Sequence, residues 1–107
     1  MKKKKKRKGA TKLSSAAAAY KRGEYLYYEK GDPDTALKYF IKAAKAGYTK
    51  AYGEIGIILH REKNEPEEAE EWFKKAEQSD CLFAPAAHDY GILLWLGKGK
   101  LEDSFKY

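Results

Sequence analysis

The chain has 107 residues, room for one domain, with 22 Lys and Arg against 16 Asp and Glu and a formal charge of +6. Eight of those cations, Lys2, Lys3, Lys4, Lys5, Lys6, Arg7, Lys8 and Lys12, precede the first expected folded segment, so the remaining body is slightly acidic and the basicity belongs to the tail. Cys81 is the only cysteine, which excludes an intramolecular disulfide framework, and no apolar run approaches the ~18 residues of a membrane span.

In chain order, residues 1–13 form a lysine-rich run of mutually repelling charge and are expected to be disordered. The segment from Leu13 to Tyr20 is too weakly apolar for a signal-peptide core, so an intracellular, cytoplasmic protein is the expectation. Lys4–Lys8 also matches a nuclear-import pattern and would attract nucleic acid or an anionic surface. The tail has no interleaved aromatic for base stacking, so such contact would be sequence-blind and salt-sensitive, and a merely solubilising tail is equally compatible.

Ser14 or Ser15 is the expected N-cap of a first helix running to about Lys30. Gly31-Asp32-Pro33 then breaks the chain, and Asp32 and Pro33 supply a cap and a first helical residue for a second helix to about Ala46. Gly47 suits the left-handed residue that ends it. A third helix is expected from about Thr49 to Arg61, and Asn64-Glu65-Pro66 repeats the cap-then-proline device before a fourth from Pro66 to Gln78. Its carboxylates between Glu65 and Glu71 suit a helix N-terminus and are expected to pair with Lys74 and Lys75. After a loop at Ser79–Phe83, a fifth helix starts at Pro85 and is expected to stop near Leu96, before Gly97 and Gly99; Leu101–Tyr107 would begin a sixth.

The chain repeats itself. Gly23, Gly56 and Gly91 open similar phrases 33 and 35 residues apart, and Ala36, Phe40 and Ala43 recur 33 residues later as Ala69, Phe73 and Ala76. Such a period signals stacked helical hairpins, here about two and a half, at 16–47, 49–80 and 84–107 within a helical domain over 14–107. Ala43, Ala44, Gly56, Ala69, Ala76 and Gly91 are expected where helices approach closely, and Tyr39, Phe40, Ile55, Leu59, Trp72, Phe73 and Leu94 on the apolar stripes. The fold class is all-α, an α-solenoid of antiparallel hairpins.

Gly31-Asp-Pro-Asp-Thr-Ala-Leu-Lys-Tyr-Phe-Ile-Lys-Ala43 resembles the second half of a tetratricopeptide repeat. Lys42-Ala-Ala-Lys-Ala-Gly47, with Ala51 and Ile55–Leu59, resembles the phrase joining SEL-like repeats, and Glu68–Ala76 fits both branches. The chain departs from the pattern in lacking the glycine-rich insert of SEL-like units and in carrying Glu77-Gln78-Ser79-Asp80 where Ala and Gly are usual.

The resemblance implies a protein-binding groove lined by the first helix of each pair. Its positions would be Glu24, Tyr27, Tyr28, Ile57, His60, Arg61, Ile92, Trp95 and Leu96, with Tyr20 and His88 beside them. Aromatic residues and Arg are the usual anchors of such contacts, although Tyr27 and Trp95 would serve equally as packing between helices. The carboxylate-clamping Lys and Asn of chaperone-binding relatives are not at these positions. His60, His88 and Cys81 lack metal-ligand spacing, and no nucleophile–base pair or phosphate loop is present, so neither enzymatic activity, metal nor cofactor is expected.

The expected function is an adaptor binding a peptide or helix of another protein. The alternatives are a basic-tailed accessory subunit of a nucleic-acid complex and a regulatory subunit covering an enzyme. The third repeat has no complete partner helix, so exposed apolar surface is expected around Ile92, Leu93 and Trp95, to be covered by another subunit, by self-association or by continuation in a longer parent chain.

Overall fold

The computed structural model describes the backbone from Lys8 to Lys106 and the side chains of residues 15–96. Within that span the chain forms α1 (Lys8–Glu24), continued by a π-helical turn (Tyr25–Glu29), then α2 (Pro33–Lys45), α3 (Lys50–Arg61), α4 (Pro66–Gln78) and α5 (Ala84–Lys106), with no strand among the described residues. The protein is therefore all-helical. α1 packs on α2, α2 on α3, α3 on α4, and α5 on both α3 and α4.

The turns follow local chemistry. Thr35 N donates to Asp32 Oδ1 at 3.3 Å, and Pro33 occupies the first helical position, where no N–H is missed. Gly31 and Gly47 take left-handed backbone, with φ of 67° and 96°. Thirty-three residues later Asn64 and Asp80 do the same, at φ of 54° and 60°; these two residue types tolerate that region better than most. Backbone bonds repeat at the same offset: Asp32 N donates to Leu26 O and Glu65 N to Leu59 O, both at 2.8 Å. The repetition read as letters is thus a repetition of backbone geometry.

Packing repeats too. Phe40 and Phe73 each stand 17 residues after a motif glycine. A Cβ on Gly23 would lie 2.8 Å from Phe40 Cδ1, and one on Gly56 would lie 2.4 Å from Phe73 Cε1. Each ring therefore rests on bare backbone, which only glycine allows. Ala36, Ala43, Ala69 and Ala76 are fully buried and let the helices close. Ile55, Ile58, Ala51, Ala86 and Leu93 extend this core between the pairs.

Several expectations need correction. α1 begins at Lys8, so Lys8–Leu13 is helical rather than disordered, and Ser14 and Ser15 lie inside the helix instead of capping it. Residues 1–7 lie outside the described residues, as do the side chains of Lys8 and Lys12. The first helix ends as a π turn, in which Lys30 N donates to Tyr25 O at 3.0 Å, one residue wider than an α-turn.

Glu65 occupies the N-cap of α4 but makes no side-chain cap bond, because its side chain is one methylene longer than the Asp32 carboxylate at the same place. α5 continues through Gly97 and Gly99 to Lys106 with no break and no sixth helix. An interior glycine costs a helix only about 1 kcal/mol and, unlike proline, keeps its N–H. Gly91 is exposed rather than at a close approach. The acidic start of α4 forms no ion pair with Lys74 or Lys75 among the described residues; Lys75 Nζ sits 5.2 Å from the Trp72 ring centroid instead.

Candidate protein-docking surface

The first helices of the successive pairs, α1, α3 and α5, are joined by a polar ladder. In the π turn that continues α1 the position five residues after Gly23 is Tyr28, whose hydroxyl donates to Glu54 Oε1 at 2.8 Å. In α3 the position five after Gly56 is Arg61, whose Nε and Nη2 donate to Asp89 Oδ2 and Oδ1, each at 2.9 Å. Glu54 and Asp89 both stand two residues before the next motif glycine. One bond rule therefore joins α1 to α3 and α3 to α5, with a phenol as donor in the first rung and a guanidinium in the second.

Additional donors complete each rung. Tyr20 OH reaches Glu54 Oε2 at 3.1 Å, and His60 Nδ1 lies 3.1 Å from Asp89 Oδ2. Beside them Tyr27 OH donates to Glu62 Oε2 at 3.1 Å. Both central carboxylates are buried, and no buried side-chain polar atom among the described residues lacks a partner. A complete network of this kind fixes the relative placement of the helices, since an unpaired buried carboxylate would be costly.

The two carboxylates are held differently. Burial pushes the Glu54 carboxyl up, and the phenols of Tyr28 and Tyr20 only partly oppose it. Burial acts on Asp89 in the same direction, but hydrogen bonds from Arg61 and His60 and their charge outweigh it and hold Asp89 below the ordinary carboxylate value. The phenols respond in turn. Burial, reinforced by Glu54, pushes Tyr20 and Tyr28 upward, and burial with the Glu62 bond pushes Tyr27 up to about 12.

A phenol whose native pKa exceeds its unfolded value of 10.0 stabilises the fold fully below that pH, and loses the contribution as the pH climbs through the native value. The melting temperature is accordingly expected to fall as the pH rises from 10 towards 12 and beyond. Tyrosinate absorbance should then appear together with unfolding. A melting temperature unchanged over that range would contradict the ladder.

The expected groove residues divide. Tyr20 and Ile57 are buried, at 8% and 0% exposure, and belong to the core; Tyr20 packs its ring 5.5 Å from Phe40 and 4.9 Å from Tyr48. Neither is available to a partner. Tyr27 is half-buried and held edge-on to Tyr28, and Glu24, His60 and Ile92 are also half-buried. Tyr28 (54% exposed), Arg61, His88, Leu96 and above all Trp95 (69%) reach solvent. Arg61 does so with its guanidinium committed to Asp89.

Leu93 was expected in the exposed apolar patch but is buried against the core; Leu94 takes its place at the surface. Glu54, Glu62 and Asp89 were not singled out from sequence. The readable signal was an acidic residue set among core positions, Ala51-x-x-Glu54-Ile55 and Ala86-x-x-Asp89-Tyr90, at the same register of two repeats.

Cys81 Sγ is half-buried and 3.0 Å from Thr49 Oγ1, which ties the loop after α4 to the start of α3. No group of three or more His, Cys, Asp or Glu is placed to hold a metal ion, and no helix is long and apolar enough to cross a membrane, among the described residues. Comparison with protein-family models, curated proteins and solved structures finds no match to this chain.

Proposed function

We propose that the chain is a non-enzymatic helical repeat adaptor of the tetratricopeptide-like, SEL-like kind. Across the face of α1, α3 and α5 it binds a peptide or helix of another protein. The observation that carries this reading is the exposure of Trp95 and Leu96, which line one depression on α5, together with the exposed Tyr28 and Arg61 that the ladder holds in fixed positions. Rigid aromatic and guanidinium groups lose little entropy on binding, which is why they dominate interface energetics. Large apolar side chains grouped at one surface mark a site of interaction more than scattered ones do.

The test is selection of peptides from a random display library on the immobilised full chain, counter-screened on variants. Selected peptides are expected to lose about tenfold or more in affinity on Trp95→Ala, and a smaller factor on Tyr28→Ala, because Tyr28 is shared with Glu54. If no peptide is enriched, or if every enriched peptide binds Trp95→Ala as well as the parent chain, the reading fails.

A further inference from the structure

Two of the three motif glycines are covered in the same manner. Phe40 lies on Gly23 and Phe73 on Gly56, and each aromatic is flanked by alanines four residues before and three after it. The two rings and all four alanines are fully buried. Gly91 holds the same place in α5, yet beyond its own helical turn and chain neighbours no atom of the described residues comes within 4 Å of a Cβ built on it.

Among the described residues, the surface around Gly91 is bare. Ala87, His88, Ile92, Trp95 and Leu96 line a shallow depression centred on it, whereas Gly56 and Ile57, the counterparts of Gly91 and Ile92, are buried in α3. The ladder also stops here. The position that carries Tyr28 and then Arg61 carries Leu96 in α5, so the next element would meet an apolar side chain in place of a donor.

We infer that the Gly91 face of α5 docks an amphipathic helix of a partner protein. That helix lays an aromatic ring on Gly91 and presents alanine-sized residues four positions before and three after the ring. The inference rests on the interaction-module reading and specifies its ligand. The chain supplies the template twice, and both times the requirements are the same: a ring for the bare glycine backbone, and small residues so that the helices approach. Burial of an aromatic removes on the order of 150–250 Å² from water, and helix-in-groove recognition uses such anchors at helical spacing. A second copy of the chain is a poor occupant, because its two helices of this type already have Phe40 and Phe73 engaged at 0% exposure.

The probe is an acetylated and amidated peptide of residues 33–45, carrying a side-chain staple across the exposed positions 38 and 42 and containing no tryptophan. Titrated into the full chain, it is expected to saturate and to shift the fluorescence of Trp95. A Phe40→Ala peptide, and the Gly91→Ala chain with the parent peptide, should each weaken binding by about tenfold or more, as truncation or obstruction of a hot-spot anchor does. Gly91→Ala meets no neighbour in the free chain, so its melting temperature should stay or rise, which separates lost docking from lost folding.

No binding of the parent peptide overturns the inference. Equal binding by Gly91→Ala, or by the Phe40→Ala peptide, also overturns it. A dimer in sedimentation that Gly91→Ala abolishes would make a second copy the occupant and overturn it as well. If the slot fails while display-selected peptides still depend on Trp95 and Tyr28, the adaptor reading survives and only the slot is lost.

Discussion

Gly56→Ala is expected to destabilise the chain by about 1–3 kcal/mol, whereas Gly91→Ala, the same substitution at the same place in the next repeat, is expected to stabilise it by up to ~1 kcal/mol. Both changes exchange glycine for alanine inside a helix, so both gain the same ~1 kcal/mol of helix propensity. They differ in what the new methyl group meets. At Gly56 it would stand 2.4 Å from Phe73 Cε1, and that ring is fully buried, so it has no free space into which to swing. At Gly91 the methyl group meets no neighbour among the described residues. Urea unfolding of the two variants measures the difference directly. Effects of the same sign would mean that the aromatic-on-glycine contact is not what closes these helix pairs.

Arg61→Ala is expected to cost about 2–3 kcal/mol at neutral pH. Breaking a fully enclosed ion pair costs roughly 3–5 kcal/mol, and the discount reflects water that reaches the 46%-exposed Arg61 side chain. What is lost is both hydrogen bonds of the guanidinium to a carboxylate whose side chain is only 2% exposed, leaving His60 as its partner.

The pH dependence follows from the directions of the shifts. The native Asp89 pKa lies below the ordinary value of 3.8, so its stabilisation is fully present above that value and is lost as the pH falls through the native one. Without Arg61, the largest influence opposing burial is gone and the carboxyl moves upward, so acidification costs the variant less than the parent. The gap in melting temperature between parent and Arg61→Ala should therefore narrow on acidification. Glu54, already raised, moves further up once the lowering charge of Arg61 is gone, so it narrows the gap in the same direction. A gap constant from neutral pH to about 3 would show that the substitution acts through lost packing rather than lost charge.

Much of this was legible because it is local. The break at Gly31, the Asp32-Pro33 start, the left-handed Gly47 and the bounds of α2 and α4 each follow from a few neighbouring residues. The legible signal failed where two local preferences competed. Lys8–Leu13 has like charges that argue for disorder, yet Ala10, Leu13 and the alanines from Ala16 to Ala19 favour helix, and helix prevails. Gly97 and Gly99 read as a stop, yet glycine only weakens a helix, and α5 runs through both.

The groove was read less well than the fold. Tyr20, placed at the groove by its distance from Gly23, is turned inward onto Phe40 and Tyr48. Ile57 is buried in the core. Helical spacing says which residues share a face, but not which faces a neighbouring helix covers. The ladder was missed for a related reason: its bonds join residues 26 to 35 positions apart, and no local pattern marks Tyr28 and Glu54 as partners.

By itself, then, the sequence determined the helical class, the period and the turns, because these depend on backbone preferences that each short segment carries with it. Tertiary structure decided which carboxylates are buried and by whom they are satisfied, which candidate groove residues reach solvent, and that Gly23 and Gly56 are covered while Gly91 is open. Those are properties of what lies opposite a residue, and distant segments meet only once the helices have packed.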